Sequence, residues 1–464
     1  MSTHGQINAT AASNRFTKLF PNLRPAEFKK SVLETLSKGM TTEAGNERTK
    51  SDIPAGYTYF GQFVDHDATR DASGGSIATP IPATQIPVQL STPSLDLNSL
   101  YGDDSDYLNQ LGKFTLKQTN PTTEPRRADL ERNVNGRARI ADSRNEDNLV
   151  VMHFHILFQQ LHNKIFDLEP IDETQKKAEE VKKKVIYLYQ HIILHDFLPR
   201  IIDEDVYKSV ILSDNSMIFR REPSESPTMP VEFSGAAYRF GHSMVRERYH
   251  WNKHFDNVKN IHLLKKTGIC GHLGGKTQHD NPWYIDWDQF VPGTAATDFN
   301  KANLINTKLA SSLGKLPHSG GGNLAYRNMA RGVSYGLPSG QEMQKEIART
   351  VRLNSPLTTT TILSSLTHGQ KGFFESNGLH NVTPAWYYFL LEAQIARSGK
   401  CLGPVASQIV AEVLVNLIRC SKHSILRENF DPTQSNLSHL LDGKKLTLRH
   451  IIDYASDHYT GPLC

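Results

Sequence analysis

The chain has 464 residues, and its 52 Lys and Arg residues against 48 Asp and Glu give a formal net charge of +4. Hydrophobic residues make up 38% of the sequence and charged residues 22%, which supports a sizeable core and excludes a chain disordered throughout. Acidic and basic residues are interspersed, so we expect no nucleic-acid partner. The four cysteines are widely spaced, which indicates neither a disulfide scaffold nor a structural zinc site.

The N-terminal residues give no sign of a secretory signal or a membrane anchor. Residues 1–15 are polar, and no stretch approaches the roughly 18 apolar residues that a membrane-spanning helix needs. We therefore expect a protein without a transmembrane segment that is cytoplasmic or exported without a Sec signal. Residues 1–50 are expected to form an N-terminal arm, and residues 51–464 one large domain.

Helical patterns dominate the chain after a Ser-, Thr- and Pro-rich stretch at residues 72–92, which predicts a loop. Leu149 to Phe166 carries apolar residues three and four apart, which is typical of an amphipathic helix. Further helices are predicted over residues 173–197, 233–246, 300–313, 341–352, 385–397 and 404–420. Strand signals are weak and no repeat is visible, so the predicted fold class is mainly α with little β structure.

Two of the twenty histidines have neighbours that suggest a role in catalysis or ligand binding. His66 lies between Asp65 and Asp67, and such a cluster of carboxylates calls for a cation or a covalent bond nearby. His242 follows a run of small residues from Ser234 to Gly241, which would let a helix approach a large flat ligand closely. Tight helix packing around a hydrogen-bonded histidine is the alternative interpretation of the second pattern.

A third segment offers oxygen ligands at every second position, namely Thr92, Ser94, Asp96 and Asn98. A loop folded around a hard cation such as Ca²⁺ would have this spacing. An ordinary turn rich in Asp and Asn is the alternative.

Taken together and in order, these segments resemble the animal-type haem peroxidases, the superfamily of myeloperoxidase, lactoperoxidase and cyclooxygenase. The resemblance is carried by residues 62–67, 95–102, 144–148, 161–163, 238–242 and 328–332, and the segments 336–340 and 402–405 look closer to bacterial members. It implies a single large helical haem peroxidase domain that binds haem b and Ca²⁺. It also implies that hydrogen peroxide is reduced while a small-molecule reductant, a phenol, halide or pseudohalide, is oxidised.

On the distal side of the haem, the resemblance assigns catalytic roles to His66 and Arg144. His66 would move a proton between the two oxygens of hydrogen peroxide, and an imidazole suits both transfers. Arg144 would stabilise the negative charge that develops as the O–O bond breaks. Gln62 would line the same pocket.

On the proximal side, the resemblance makes His242 the ligand of the haem iron. Its other ring nitrogen would donate a hydrogen bond to Asn328, which fixes the tautomer. Arg239 and Arg331 match positions near the haem propionates.

The resemblance also assigns a calcium site to Asp67, Thr92, Ser94, Asp96 and Asn98, with Ser94 contributing its backbone carbonyl. Because Asp67 directly follows His66, calcium there would hold the distal histidine in place.

Some members of the family attach their haem through two esters, and Asp65 and Asp147 match those positions. Asp147 departs from the usual Glu and is one methylene shorter. A second departure lies at Val333 to Tyr335, where many animal members continue with Arg, Asp and His.

Two other functions remain open. A fatty-acid dioxygenase of the cyclooxygenase kind would need a tyrosine three residues before the proximal histidine, where this chain has Arg239. A haem- and calcium-binding protein with little turnover would not need a His and an Arg on the distal side. The pair His66 and Arg144 therefore favours the peroxidase.

Overall fold

The computed structural model describes residues 16–42, 50–70, 92–102, 105–120, 124–223, 225–265, 283–316, 322–428, 430–432 and 445–456. The α-helices, in chain order, are α1 (Lys30–Met40), α2 (Gly56–Ala68), α3 (Asn98–Tyr101), α4 (Leu149–Leu168), α5 (Thr174–Ile192), α6 (Leu198–Ile201), α7 (Glu204–Val206), α8 (Val231–Gly235), α9 (Gly241–Met244), α10 (Asn260–Lys265), α11 (Trp287–Phe290), α12 (Leu324–Ser334), α13 (Gly340–Ile347), α14 (Thr359–Ser364), α15 (His368–Ser376), α16 (Ala385–Arg397), α17 (Pro404–Cys420), α18 (Ile425–Glu428) and α19 (Leu448–Ala455). The predicted mainly α fold is confirmed.

The strands of the described residues form two-stranded antiparallel pairs. They are β1 (Lys50–Pro54) with β6 (Lys301–Asn303), β2 (Leu116–Asn120) with β3 (Glu124–Leu130), and β4 (Arg248–Tyr249) with β5 (Val258–Lys259). The first pair brings residues 50–54, just before α2, against a segment about 250 residues later in the chain.

Aromatic side chains fix α2 against α4 in the core. Phe63 stacks on Phe158 with ring centroids 5.2 Å apart, and Phe60 lies 5.8 Å from Phe154. All four rings are fully buried. Burial of each such ring stabilises the fold by roughly 2–3 kcal/mol, so the position of α2 is strongly determined.

Residues 16–42 pack on the rest of the chain. The backbone of Thr17 pairs with that of Pro230 and Val231, and the buried carboxylate of Glu232 accepts hydrogen bonds from the amides of Leu19 and Phe20. Helix α1 then packs against α12. The part of the expected N-terminal arm that the structure describes therefore lies over the fold, whereas the domain boundary at residue 50 stays a prediction.

Some predicted elements have different bounds. The helix predicted over residues 300–313 is wrong: the segment holds β6 and a 3₁₀ turn at Ser311–Gly314, because residues 301–303 pair with β1. The helix predicted over residues 173–197 ends as an α-helix at Ile192 and continues through a π-helical segment, Ile193–Phe197. Pro199 lies in the first turn of α6, where a proline is tolerated.

The helix predicted over residues 233–246 is broken at Ala236, whose backbone angles are φ −143° and ψ −66°. A 3₁₀ turn, Ala237–Phe240, and the short helix α9 follow, and α9 carries His242. The break separates α8 from the 3₁₀ turn and from α9, which carries His242.

In the described part of the chain, no helix is both long and apolar enough to cross a membrane.

Candidate active site

Helix α2 presents His66 in the interior, where only 6% of the residue is exposed. Its Nδ1 lies 2.9 Å from the side-chain oxygen of Asn145. An amide oxygen only accepts, so Nδ1 carries the hydrogen and Nε2 of the neutral ring has a free lone pair. Burial, and next the charge of Arg144, lower the pKa of His66 to about 4. His66 is therefore a neutral base at physiological pH.

Arg144 is fixed against the C-terminal end of α2. It lies in a 3₁₀ turn, Ser143–Glu146, and its Nη2 donates to the backbone carbonyls of His66 at 2.8 Å and Thr69 at 2.6 Å. Nη2 also binds Asp142 at 2.7 Å. Burial alone would raise the pKa of Asp142, but the hydrogen bonds and charge of Arg144 outweigh it and lower that pKa to about 2. The guanidinium is thus held charged beside His66.

The other residues that the sequence analysis assigned to the distal pocket lie close by, on α2 and directly after the 3₁₀ turn. Gln62, one helical turn before His66, accepts a hydrogen bond from Asn148 Nδ2 at 3.1 Å. Asp65 accepts one from the hydroxyl of Thr69 at 3.2 Å. Asp147 follows the 3₁₀ turn, and burial raises its pKa to about 7. The structure thus brings together the residues assigned to the distal pocket.

His242 contacts Asn328 as predicted, at 2.8 Å between His242 Nδ1 and the amide nitrogen of Asn328. The predicted donor is His242 and the predicted acceptor is the amide oxygen, which here faces Arg239 Nη1 at 3.4 Å. As placed, Asn328 donates to His242 Nδ1, which is the reverse of the predicted direction. A half-turn of the amide would give the predicted bond but would set the amide nitrogen against Nη1 of Arg239, so the direction of this bond stays a prediction. Burial, and next the charges of Arg239 and Arg327, lower the pKa of His242 to about 3.

The predicted propionate partners lie near these two residues in the chain: Arg239 precedes His242 by three positions, and Arg331 follows Asn328 by three. Arg239 donates from Nε to the carbonyl of Ser234 at 2.7 Å. Arg331 donates from Nη1 to the hydroxyl of Tyr335 at 2.9 Å. Tyr335 occupies one of the positions where the chain departs from the family pattern, and its hydroxyl is a partner of Arg331.

The carboxylates of the predicted calcium site accept backbone hydrogen bonds. Asp67 accepts from the amides of Leu97 and Ser99, both at 3.0 Å. Asp96 accepts from the amides of Lys422 at 2.9 Å and His423 at 3.1 Å. These bonds tie the end of α2 to the loop before α3, and that loop to the segment after α17.

The remaining residues of the predicted calcium site have fewer hydrogen bonds than the two carboxylates. Asn98 Nδ2 donates to the hydroxyl of Ser94 at 3.2 Å, and Thr92 is exposed. Among the described residues, no group of three or more His, Cys, Asp or Glu side chains is arranged to hold a metal. A carboxylate can accept about four hydrogen bonds or ligands, so Asp67 and Asp96 retain capacity for a cation. The two carboxylates are buried and make no salt bridge within the described residues, so a cation would fit their charge.

The two histidines fit a haem. Each ring is bound through Nδ1, and neither Nε2 has a hydrogen-bond partner among the described residues. Helix α2 packs against α9, which brings both histidines to one region. A Cβ added at Gly241 would meet no atom within 4 Å, so there is open space beside His242. His242 could bind the iron, and Arg239 and Arg331 could pair with propionates.

Several residues of the site escaped the sequence analysis. Asn145 binds His66 and Asp142 binds Arg144, and each lies within two residues of Arg144. Arg327 lies one turn before Arg331 on α12, and its charge acts on His242. Polar residues close to Arg144 and Asn328 were the available signal, but the histidines that Asn145 and Arg327 act on lie about 80 residues away in the chain, and only the fold brings them close.

A sequence profile of the family described as animal haem peroxidase matches residues 79–460. Among curated proteins, a peroxidasin homologue of Caenorhabditis elegans is 25% identical over 270 residues, which cover 54% of this chain and 19% of that protein. The chain spans about a fifth of the length of the curated relatives it matches.

Solved structures show the same fold. Peroxidase A from Dictyostelium discoideum superposes with a TM-score of 0.65 at 15% identity, covering 97% of this chain and 94% of that one. A fatty acid alpha-dioxygenase from Oryza sativa superposes with a TM-score of 0.64 at 11% identity, covering 95% and 81%. At such identities, the likeness concerns the fold alone.

Proposed function

Because the chain belongs to the animal haem peroxidase family, we propose that it is a haem peroxidase that reduces hydrogen peroxide and oxidises a phenolic, halide or pseudohalide donor. The observation that carries the proposal is the distal pair. His66 is a buried neutral base whose Nε2 has no partner among the described residues, and Arg144 is fixed beside it through the carbonyl of His66.

In this proposal, the residues of α2 and the following 3₁₀ turn move the proton and hold the charge. Nε2 of His66 accepts a proton from one oxygen of hydrogen peroxide and delivers it to the other, which leaves as water. The guanidinium of Arg144 stabilises the negative charge on the departing oxygen. Gln62 lines the pocket. The haem supplies the iron that binds and reduces the peroxide.

His242 is proposed as the iron ligand, with Asn328 accepting a hydrogen bond from its Nδ1. Arg239 and Arg331 are proposed to pair with the propionates. The haem is proposed to be haem b, with an ester to Asp65; a second ester to Asp147, whose side chain is one methylene shorter than the usual Glu, is left open to the test. Extraction of the haem into acidified organic solvent tests the esters, because a covalently attached haem stays with the protein. Loss of retention in Asp65→Asn or in Asp147→Asn would identify which ester is present.

We also propose Ca²⁺ at Asp67, Thr92, Ser94, Asp96 and Asn98. The support is the pair of buried carboxylates without a basic partner among the described residues. Calorimetric titration of the metal-stripped protein with Ca²⁺ is the test, and Asp96→Asn should weaken binding at least tenfold. Equal affinity in the variant would contradict this assignment.

The function is tested by the absorption spectrum of the haem-loaded protein before and after one equivalent of hydrogen peroxide. We expect a change within milliseconds that is reversed by a phenol or a halide, and a rate constant about a hundredfold lower in His66→Ala. The control is His368→Ala, because His368 lies on the exposed first turn of α15. An unchanged rate constant in His66→Ala would contradict the role of His66.

The dioxygenase alternative is less well supported. Position 239, where it requires a tyrosine, holds an arginine that binds the carbonyl of Ser234. Tyr238, its neighbour, is instead stacked on Phe233 with ring centroids 4.7 Å apart. Incubation with a fatty acid and oxygen should therefore give no oxygenated product.

A further inference from the structure

A chain of side-chain hydrogen bonds runs from His66 into the core. Asn145 accepts from His66 Nδ1 at 2.9 Å, and its amide nitrogen lies 3.0 Å from Nδ1 of His155. His155 Nε2 then lies 3.2 Å from the side-chain nitrogen of Gln159. Asn145 and His155 are fully buried and Gln159 is 4% exposed, so water does not compete for these bonds.

The backbone fixes the direction of the Asn145 amide. Its nitrogen also faces the carbonyl of Ser99 at 3.4 Å. A reversed amide would place its oxygen against that carbonyl and leave two acceptors facing each other. The nitrogen of Asn145 therefore donates toward His155, and the oxygen is left to accept from His66.

The same reasoning assigns the proton of His155. Its Nδ1 accepts from Asn145, and burial lowers the pKa of His155 to about 3, so the neutral ring carries its hydrogen on Nε2. That hydrogen faces the nitrogen of Gln159, while the Gln159 oxygen has no partner among the described residues. A half-turn of the Gln159 amide resolves both mismatches at once.

We propose that Asn145 and His155 are positioning residues that hold His66 in the tautomer with its hydrogen on Nδ1 and its lone pair on Nε2. This inference rests on the proposed function, because only that tautomer can accept a proton from a ligand above the haem. His155 acts through Asn145: it takes one amide hydrogen and thereby keeps the amide oxygen turned toward His66.

The chemical reason for an amide in this position is its neutrality. A carboxylate would accept the same hydrogen but would favour the imidazolium form of His66 and raise its pKa. The charged groups that act on His66 are Arg144, Asp142 and Asp65. The charge of Arg144 disfavours the imidazolium form of His66. The uncharged amide of Asn145 orients the ring without opposing this effect, so His66 stays a neutral base.

The test uses cyanide, because HCN gives up its proton to the distal base when it binds ferric haem, and no turnover is involved. The association rate constant is measured by stopped flow at pH 7 on the haem-loaded protein. In Asn145→Leu, we expect a fivefold to tenfold lower rate constant, the ratio that one net hydrogen bond supports.

The substitutions at position 155 separate positioning from packing. His155→Phe keeps a ring in the core but has no acceptor, and should lower the rate constant about threefold. His155→Gln offers a side-chain oxygen to Asn145 and should restore it. Equal rate constants in the wild type, Asn145→Leu and His155→Phe would overturn the proposal. If His155→Phe fails to fold, Asn145→Leu decides.

The outcomes also separate this inference from the proposed function. A protein that binds haem and cyanide but does not turn over peroxide overturns the function and leaves the positioning test intact. A protein that takes up no haem overturns both, and its absorption spectrum shows this before cyanide is added.

Discussion

Arg144 donates a hydrogen bond to the backbone carbonyl of His66, at 2.8 Å from Nη2 to the oxygen. The bond satisfies a carbonyl in the last turn of α2, where helices leave such groups without an internal partner. The cation also lies at the end of the helix that carries partial negative charge. The same guanidinium that would stabilise charge during the reaction therefore also stabilises the helix that carries the base.

Asp142→Asn should release Arg144 from this position. Asp142 binds Nε and Nη2 of Arg144 and caps the 3₁₀ turn through the amide of Arg144. We expect the rate constant for peroxide reduction to fall about tenfold, because the guanidinium loses its fixed geometry. The control is Asp52→Asn, which removes an ion pair with Lys301 at the surface. A rate constant equal to that of the control would contradict the role of Asp142.

The buried histidines should make the haem-free protein less stable as the pH falls from about 6.5 to about 4. Burial lowers the pKa of His66 and His162 to about 4 and that of His155 to about 3. At these three positions the unfolded chain, with pKa values of about 6.5, binds more protons in this window, so each decreases the free energy of unfolding as pH falls. Asp67 and Asp147, whose pKa values burial raises to about 7, act in the opposite direction, so the histidine contribution is the difference between the wild type and a histidine variant. Thermal unfolding between pH 7 and 4.5 measures it. His162→Gln should flatten the dependence, and an equally steep profile in that variant would contradict the prediction.

Tyr335→Phe should weaken haem retention. The Tyr335 hydroxyl accepts from Arg331 Nη1 at 2.9 Å, and the guanidinium also lies over its ring at 5.6 Å. Without the hydroxyl, Arg331 is less ordered toward a propionate, and we expect haem to dissociate about threefold faster. Transfer of haem to a haem-scavenging protein measures the rate. Tyr326→Phe is the control on the same helix, and equal rates in both variants would contradict the prediction.

Gly403→Ala should destabilise the protein by at least about 2 kcal/mol, because overpacking a buried site forces neighbours to move. A Cβ there would lie 2.2 Å from Cγ of Glu392, whose carboxylate accepts from the amides of Val405 and Ala406 at the start of α17. Gly372→Ala is the matched control in α15, where a Cβ meets nothing within 4 Å. That variant should be unchanged or more stable by about 0.5–1 kcal/mol in chemical denaturation.

The sequence predicted those helices best whose pattern and end signals agree. The predicted bounds 385–397 and 404–420 coincide with α16 and α17, and α17 begins with Pro404 in its first turn. The prediction failed at residues 300–313, where pairing with β1 overrides local preference. A strand that pairs with a segment about 250 residues away cannot be recognised from its local sequence pattern.

The candidate site shows the same division. The segments around His66, Arg144, His242 and Asn328 were recognisable from their order along the chain. The hydrogen bond between His66 and Asn145 was not, because it joins residues 79 positions apart and an asparagine carries no distinctive spacing. All residues of the predicted calcium site are described, whereas the loop predicted at residues 72–92 lies outside the described residues except for Thr92.

The packing of the N-terminal residues determines which fragments of this chain can be studied. The family profile begins at residue 79, after α2 and the segment that pairs with β6. A fragment cut at that point would lack His66 and would expose the Phe154 and Phe158 rings that α2 covers. It would also leave the Glu232 carboxylate buried without the amides of residues 19 and 20. Shortening the gene to the recognised family segment would therefore remove His66 from the proposed site and expose apolar surface that favours aggregation.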